Sequence, residues 1–590
     1  MYGWSGRLLD IDLSDKSFEY DPTPYLKEYV GGRGLGVRLF TERASPKADP
    51  LGPECPLIFS FGPLTGTIAP ASGRFSAISK SPLTHTILDS NCGGYFAARG
   101  KGCGIDAFIL SGQSESPCIV VIDEQGVGFD DASDLMGKDI CSTSAMLKSR
   151  YGKGCGILAI GPAGENLVLF STISTDDYRV FGRGGLGAVM GSKNVKAIVA
   201  LGRKKTSVAH PDQLRFVFKQ SRKLLEANPI TSRGLKAFGT PILVNIINQM
   251  GIFPNYNYQY SYSDKASMVC GEVVDATIFK RRRACLACTI QCDRVTESEG
   301  RQARGPEYES LWALGPNCGV FDLPEIAKSC YYANELGMDT MSLGATISCM
   351  MELKERGIAD LPLDFSMDGI YRHVIDAAYR RDAGEDIAMG SKRVSEKYGA
   401  PEYALQVKGL DLPAYDPRGC QGMGLAYAVS NRGACHLRSY ILSSEILGIP
   451  KLLDRKLTAE KVSLEVVLEN INAAVDSLAL CRFTSFALSE EYYSRLLKSV
   501  TDVDYSENDF VLLGERIWNL ERIFNQKIGF THKDDTLPER ILSEPVKNGP
   551  AKGQVCRLDE MLPGYYRARG WSTKGVAHSR KLKELGLEDV

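Results

Sequence analysis

The segment CLACTIQC, residues 285–292, packs three thiols (Cys285, Cys288 and Cys292) into eight positions directly after Arg281–Arg283. A zinc ion or an iron–sulfur cluster ordinarily takes four protein ligands. Three clustered cysteines therefore demand a fourth ligand from a distant part of the chain, and this closure constrains the fold more than any other local feature. The order CxxCxxxC reverses the CxxxCxxC of radical enzymes, and no second CxxC or HxxxH follows to complete a zinc ribbon or finger. The nearest later histidine, His373, is isolated. A [4Fe–4S] cluster with three local thiolates and one remote one fits better than zinc or structural cysteines. Cys318, Cys420, Cys435 and Cys481 all lie in motif-like settings, and spacing alone does not choose among them.

The cluster stands apart from the remaining cysteines. There are 17 in all, an odd number, and no positive-then-apolar export signal is visible, so a disulfide framework is not expected. Cys118, Cys330 and Cys349 sit singly in apolar or Gly-rich settings and read as small buried hydrophobes. The first residues, MYGWSGRLLDIDLSDKSFEY, read as a β-hairpin turning at Ser14–Lys16, which points to a cytoplasmic protein. A net charge of -1 gives no electrostatic reason to expect nucleic acid or a membrane surface as partner. No run approaches the ~18 apolar residues of a membrane span.

A chain of 590 residues is too long for one core. Residues 1–205 carry short apolar runs such as PLIFSFG, DAFILSG, CIVVID and NVKAIVALG between Gly, Pro and Asn, which is strand-and-turn texture. The hexapeptide GKGCGI occurs at 100–105 and again at 152–157, hinting at a duplicated sheet. From 206 the apolar residues recur at three and four, as in HPDQLRFVFKQSRKLLEAN. Asp322 and Pro324 start one helix, Gly337 stops it, and Asp339 caps the next. The extended, Pro/Gly-rich stretch around 400–420 marks a second boundary, and the chain ends in an irregular basic tail. The expected class is α+β: a β-rich domain over 1–205 with a duplicated sheet, then two mainly α-helical domains over 206–412 and 413–590.

Two further patterns bear on chemistry. Asp339-Thr-Met-Ser-Leu343-Gly344 and Asp476-Ser-Leu-Ala-Leu480-Cys481 share Asp-x-x-x-Leu, and the pair suggests two related sites for two similar ligands, one beside a cysteine. Either segment alone would read as a capping Asp and a core Leu. Gly182-x-Gly184-x-x-Gly187 satisfies the dinucleotide fingerprint, but no acid follows on the next apolar strand, so the glycines read instead as close approach to a phosphate. Among only six histidines, His436 alone lies in a segment dense in Gly, Arg and Cys, NRGACHLR. It pairs as an acid–base candidate with a carboxylate of GPEYES.

The chain resembles the tungsten-dependent aldehyde:ferredoxin oxidoreductase family along nearly its whole length. The matching segments are SGRFSAISKSPLTH (72–85), SNCGGYFA (90–97), RVFGRGGLGAVMGSKNVKAI (179–198), CLACTIQC (285–292), GPEYESLWALGPNCG (305–319), both Asp-x-x-x-Leu motifs, and DPRGCQGMGLAYAVSNRGACHLR (416–438). The resemblance implies a β base on which a bis-pterin tungsten or molybdenum cofactor rests beneath two helical domains, close to a [4Fe–4S] cluster. It makes Cys481 the fourth cluster ligand and assigns the pterins to Asp339 and Asp476, assisted at Leu343, Gly344 and Leu480. A carboxylate suits the paired donors of a pterin edge. Arg74, Arg179, Arg183, Arg432, Arg438 and Arg482 fall near the cofactor, with Asn91, Gly93, Val180 and Gly182 as flanking contacts, and a magnesium ion can bridge the phosphates. Guanidinium forks and open backbone N–H groups are what phosphates require. Glu309, with Glu307 as the alternative, and His436 become the acid–base pair. No ExxH occurs, which removes the usual ligands of a dimer-bridging iron found in some relatives.

The implied activity is oxidation of aldehydes to carboxylic acids, with electrons leaving through the cluster to ferredoxin or an iron–sulfur subunit. Arg281–Arg283 offer a docking patch for such a partner. A branch of the family reduces aromatic-ring thioesters, and a catalytically silent iron–sulfur subunit is the alternative from another class. Both Asp motifs and His436 argue against the silent subunit, because an electron carrier needs neither. A homo-oligomer or hetero-complex is expected.

Overall fold

The computed structural model describes residues 1–176, 179–365 and 368–590. The N-terminal hairpin forms as its alternation dictates: β1 (Arg7–Asp12) pairs antiparallel with β2 (Ser17–Pro22), with Leu8 opposite Asp21. Ten more strands follow: β3 (Leu57–Phe61), β4 (Phe75–Lys80), β5 (Ile87–Cys92), β6 (Ala107–Ser111), β7 (Cys118–Ile122), β8 (Val127–Asp131), β9 (Gly156–Ala159), β10 (Ile173–Thr175), β11 (Val180–Phe181) and β12 (Val195–Ala200). They form two six-stranded sheets, ordered β2-β1-β6-β3-β4-β5 and β8-β7-β12-β9-β10-β11.

The two sheets have the same topology. In each, the first strand pairs antiparallel with the second and parallel with the last, and the remaining contacts are antiparallel. The duplication expected from the hexapeptide is therefore present, but the hexapeptide does not carry it. GKGCGI precedes β6 in the first sheet and runs into β9 in the second, and the topology matches β6 to β12 instead.

The sheets stack face to face. Leu9, Ile11, Phe59, Phe75 and Phe108 of the first meet Val120, Leu158, Phe181 and Ile198 of the second in one core, with the Phe75 and Phe181 rings 4.8 Å apart. Alternate residues point outward. Leu8, Ile58, Ile78 and Ile109 of the first sheet pack against Val475, Leu478, Leu480 and Ile517 from the far end of the chain. Both faces being covered explains why LIFSF reads as continuously apolar.

Beyond residue 206 the chain is mainly helical, as the periodicity predicts. Asp322 accepts the Glu325 N–H to cap the helix Leu323–Leu336, Gly337 closes it at φ 82, and Asp339 caps Thr340–Glu355. The small sheet β13 (Phe279–Arg283), β14 (Asp293–Ser298), β15 (Arg301–Arg304) carries CLACTIQC in the loop between its first two strands. The C-terminal tail departs from expectation, since Leu558–Arg569 and Ser579–Leu585 are helices. Tertiary contacts stabilise them: fully buried Arg569 donates to Glu469, and Trp571 donates to Asn519. No described helix is long and apolar enough to cross a membrane.

Candidate active site

One cavity collects most of the expected residues. About 1370 Å³ of space unfilled by protein, part of it open to solvent, is bounded by Cys285, Cys288, Cys292 and Cys481 together with Arg74, Asn91, Gly93, Arg179, Val180, Gly182, Asp339, Arg482 and Glu307. Of the four remote cysteines that spacing left open, only Cys481 reaches this wall. Cys318 donates to the Ala313 carbonyl at 3.2 Å, Cys420 to the Asp416 carbonyl at 3.2 Å, and the Cys435 sulfur accepts from Arg432 at 3.0 Å.

Local backbone geometry shapes the cysteine wall. Ala287 and Gln291 adopt left-handed φ of 56° and 55°, winding the loop tightly, and the Ala71 N–H ties it to the first sheet through the Ala287 carbonyl at 2.8 Å. β5 delivers Gly93 against Cys285, where an added Cβ would lie 2.8 Å from the sulfur. On the far side, the helix Lys461–Ser477 ends and Ala479 turns at φ 56 to present Cys481. Because Leu478 and Leu480 pack in the core under the first sheet, that sheet sets where Cys481 stands. Burial, reinforced by Cys481, pushes the Cys288 thiol up to about 11, and burial pushes Cys292 higher still despite Arg179. Buried thiols of this kind ionise readily only against a compensating positive centre. Among the described residues no three His, Cys, Asp or Glu side chains converge tightly enough for a single metal ion.

Arg74, Arg179 and Arg482 line this cavity, and the buried Arg183, Arg432 and Arg438 lie outside its wall. Arg74 donates through Nε to the Asn91 side chain and through Nη2 to its carbonyl at 2.9 Å. Arg183 spans the Ala434 and Asp411 carbonyls at 2.7 and 2.6 Å, with Nε 3.6 Å from Asp339. Arg438 donates to Asp89 at 2.6 Å, and Arg432 to the Asp89 carbonyl at 2.5 Å. The Nε atoms of Arg183, Arg432, Arg438 and Arg482, and Nη1 of Arg482, are buried without a hydrogen bond, although Arg183 Nε is ion-paired with Asp339. Burial brings Arg482 down to about 10. Buried polar groups are normally satisfied, so the two orphan donors of Arg482 on the cavity wall fit an anionic group with acceptor oxygens.

Glu309 and His436 form a second centre next to the first. Ser310 and Leu437, their immediate neighbours in sequence, both line the cavity. Glu309 Oε1 lies 3.6 Å from His436 Nδ1, and neither atom has a hydrogen-bond partner. Glu309 Oε2 accepts the Ala414 N–H at 3.0 Å. Burial raises the Glu309 carboxyl to about 8, although Ala414 and Arg183 pull against it. Burial, then Arg183 and Arg432, lowers His436 to about 3. The spacing would allow an ion pair, yet desolvation favours a neutral acid beside a neutral imidazole near pH 7. Glu307 is placed differently: half exposed, it accepts from Arg179 at 3.0 Å and Arg304 at 3.1 Å on the cysteine side.

Some expected residues are not on the cavity wall. Leu343 is fully buried in a helix core, and Gly344 serves close helix packing, since a Cβ there would fall 2.2 Å from the Ala313 carbonyl. The two Asp-x-x-x-Leu motifs also differ in structure. Asp339 is an N-cap that accepts the Met341 and Ser342 N–H groups, whereas Asp476 lies in the last turn of its helix, 3.4 Å from Arg33. The Gly182 fingerprint does sit between a strand and a seven-residue helix, but β11 and the following β12 are separated by two strands, so no parallel dinucleotide unit forms.

Sequence reasoning missed Arg33 and Asp89. Arg33 is fully buried, bidentate to Glu521 at 2.7 and 2.8 Å, and 3.5 Å from Asp89. Arg438, Arg33 and Arg432 together hold the Asp89 carboxyl far below its ordinary range against the cost of burial. The available signal was GGRGLG: a Cβ on Gly32 would meet the Asp476 carbonyl at 2.3 Å, and one on Gly34 the Ser477 hydroxyl at 2.9 Å. Glycines two apart in a helix-forming run marked a close helix contact, with Arg33 held in it.

Stacked duplicate sheets beneath a helical cover, with four cysteines and several arginines lining one cavity and a buried acid–imidazole pair next to it, define an enzyme rather than an electron-carrying scaffold. The chain belongs to the aldehyde ferredoxin oxidoreductase family. Residues 8–202 match the model of that family's N-terminal domain and residues 217–587 that of its domains 2 and 3. It is 43% identical to the tungsten-containing aldehyde ferredoxin oxidoreductases of Pyrococcus horikoshii and Thermococcus kodakarensis, each over the full length of both chains. Identity to the WOR-like subunit of an aliphatic sulfonate oxidoreductase from Pyrococcus furiosus is 27%, over all of this chain and 98% of the other. Among solved structures, the active-site complex BamBC of benzoyl coenzyme A reductase with 1,5-dienoyl-CoA has the same fold, with a TM-score of 0.87 at 21% identity, covering 100% of this chain and 97% of the other.

Proposed function

We propose that this enzyme oxidises aldehydes to carboxylic acids at a tungsten or molybdenum bis-pterin centre and passes the electrons through one [4Fe–4S] cluster to ferredoxin or an iron–sulfur subunit. The observation that carries the proposal is the buried Glu309–His436 pair, whose sequence neighbours Ser310 and Leu437 line a cavity walled by four cysteines and by Arg482 with its unbonded donors. Residues 1–205 would form the base, with 206–412 and 413–590 closing over it.

Cys285, Cys288, Cys292 and Cys481, which all line one cavity, would hold the cluster, and four thiolates are the ligand set a [4Fe–4S] cluster takes. Arg74, Arg179, Arg183, Arg432, Arg438 and Arg482 would hold the cofactor phosphates, where a magnesium ion can bridge. Asp339 and Asp476 would accept from the pterins. When bound, the metal supplies the two-electron acceptor. The stoichiometry is aldehyde plus water to carboxylate, three protons and two electrons. His436, kept neutral by burial, would donate one ring N–H to the substrate carbonyl oxygen. In its carboxylate form Glu309 removes a proton from the attacking water, and its orphan Oε1 is the accepting atom.

The full-length relatives named for aldehyde oxidation favour it over ring reduction, since the likeness to benzoyl coenzyme A reductase is one of fold. Anaerobic purification with metal analysis and an aldehyde panel read by viologen reduction tests the proposal. Near one tungsten or molybdenum and four iron per chain with aldehyde-dependent dye reduction supports it. Zinc without either metal, or dye reduction with no aldehyde on the panel, would overturn it.

A further inference from the structure

We propose that a basic hollow over the cysteine loop is the docking site for an acidic, one-electron carrier protein. The proposal rests on the cluster-to-partner electron route above and assigns that route a place on the surface. The chain is nearly neutral overall, with 70 basic and 71 acidic residues. Its charge is nevertheless uneven: Arg99, Lys148, Lys153, Arg203, Lys204 and Lys205 all line one hollow, against one acidic lining residue, Asp176, among the described residues. Asp176 accepts the Ile157 N–H at 2.6 Å, and Glu124 on the rim, 4.0 Å from Lys204, accepts the Arg203 N–H at 3.0 Å. Lys148, Lys153 and Lys205 have no ion pair among the described residues. The cations come from three separate stretches, one of them the second GKGCGI hexapeptide, which the catalytic site does not use.

The hollow also touches one chain neighbour of Cys285 and connects to the other through a lining tyrosine. Leu286 lines it, and Tyr95, 45% exposed on its wall, donates its hydroxyl to the Ala284 carbonyl at 3.3 Å. Two residues before Tyr95, Gly93 lies against the Cys285 sulfur. An electron at that cysteine is therefore a few bonded and contact steps from an exposed aromatic edge. An apolar centre of Tyr95 and Leu286 within a cationic rim has the character of a transient redox interface, small and steered by charge. Dispersed, flexible lysines around an aromatic fit a protein surface better than a phosphate, which needs converging donors. The partner is an oxidised iron–sulfur protein that takes one electron per encounter, so two encounters complete each aldehyde turnover.

Arg281 and Arg282, exposed on edge strand β13, are the competing patch. The test uses holoenzyme, an acidic [4Fe–4S] ferredoxin and benzyl viologen. The triple variant Lys153→Glu, Lys204→Glu, Lys205→Glu is expected to lower kcat/KM for ferredoxin by about tenfold or more at low ionic strength, the loss shrinking as salt screens it. Viologen reduction and iron content should be unchanged, and Arg281→Glu with Arg282→Glu should move the ferredoxin rate by less than about twofold, the scale on which steering through a remote patch is negligible. Loss of ferredoxin reduction in the β13 double variant but not in the triple variant would overturn the assignment, as would equal loss with viologen in the triple variant. Wild-type enzyme that reduces no dye with aldehyde would instead sink the proposed activity, a separate outcome.

Discussion

Replacing Glu309 by Gln should weaken catalysis and strengthen the fold at once. The carboxyl titrates at about 8 because burial penalises its charge, against an ordinary value of 4.5. The unfolded chain releases this proton above 4.5 and the folded chain keeps it to about 8, so the residue destabilises the native state progressively as pH rises through that window. At pH 7 about 2.5 pH units of the window have been crossed, at ~1.36 kcal/mol each, or about 3 kcal/mol. An isosteric amide removes that cost while keeping an acceptor for the Ala414 N–H. Denaturation of holoenzyme at pH 7 should show Glu309→Gln more stable by up to about 3 kcal/mol, the gain vanishing near pH 4.5. Aldehyde oxidation should fall by roughly 10²–10⁴, the usual worth of a general base. Because the carboxylate is the active form, wild-type kcat/KM should rise about tenfold per pH unit up to about 8 and then level, and the variant should lose that slope. A variant keeping a tenth of the activity, or a wild-type profile flat from about pH 6 to 8, would refute the role. A variant less stable than wild type at pH 7 would refute the energetic account.

Gly93→Ala should displace Cys285, since the new methyl would sit 2.8 Å from its sulfur and 3.2 Å from Arg74 Nη1; iron per chain should drop with the β core intact by circular dichroism. Cys481→Ser should lose cluster iron, whereas Cys318→Ser should keep it; full iron in the former would remove Cys481 from the ligand set. Arg33→Met leaves Glu521 and Asp89 buried without their shared cation, and should cost about 3–5 kcal/mol in denaturant unfolding. Ala479→Gly relieves a left-handed φ of 56° and should stabilise by up to about 1 kcal/mol with cluster content unchanged; destabilisation would show that the Ala479 methyl is needed where it packs on Gly62.

Much of the fold was legible because it is local. The caps Asp322, Gly337 and Asp339, the first hairpin, and the apolar strands of both sheets follow from side-chain hydrogen bonding, φ preference and periodicity, all of which act within a few residues. The C-terminal helices were not legible, because Arg569 and Trp571 gain their partners, Glu469 and Asn519, only across the fold. The same limit applied to the candidate site. Residue types, Gly-rich loops and family resemblance named most of the groups around the cavity, yet Asp339 and Asp476, alike in sequence, occupy opposite ends of their helices.

The sequence by itself determined that three cysteines crowd one short segment, that a strand-rich part precedes a helical one, and which family the chain belongs to. Spacing left Cys318, Cys420, Cys435 and Cys481 open and the resemblance named Cys481 and Glu309, but only the tertiary structure decided that Cys481 shares a cavity with that loop, that Glu309 meets His436, that the two sheets are alike, and that Arg33 and Asp89 share in the buried charge. Those choices depend on three-dimensional distance and on loss of water. Burial sets the protonation of Glu309 and His436 and leaves arginine donors unpaired, and no sequence spacing encodes how deeply a side chain is buried or what it meets there.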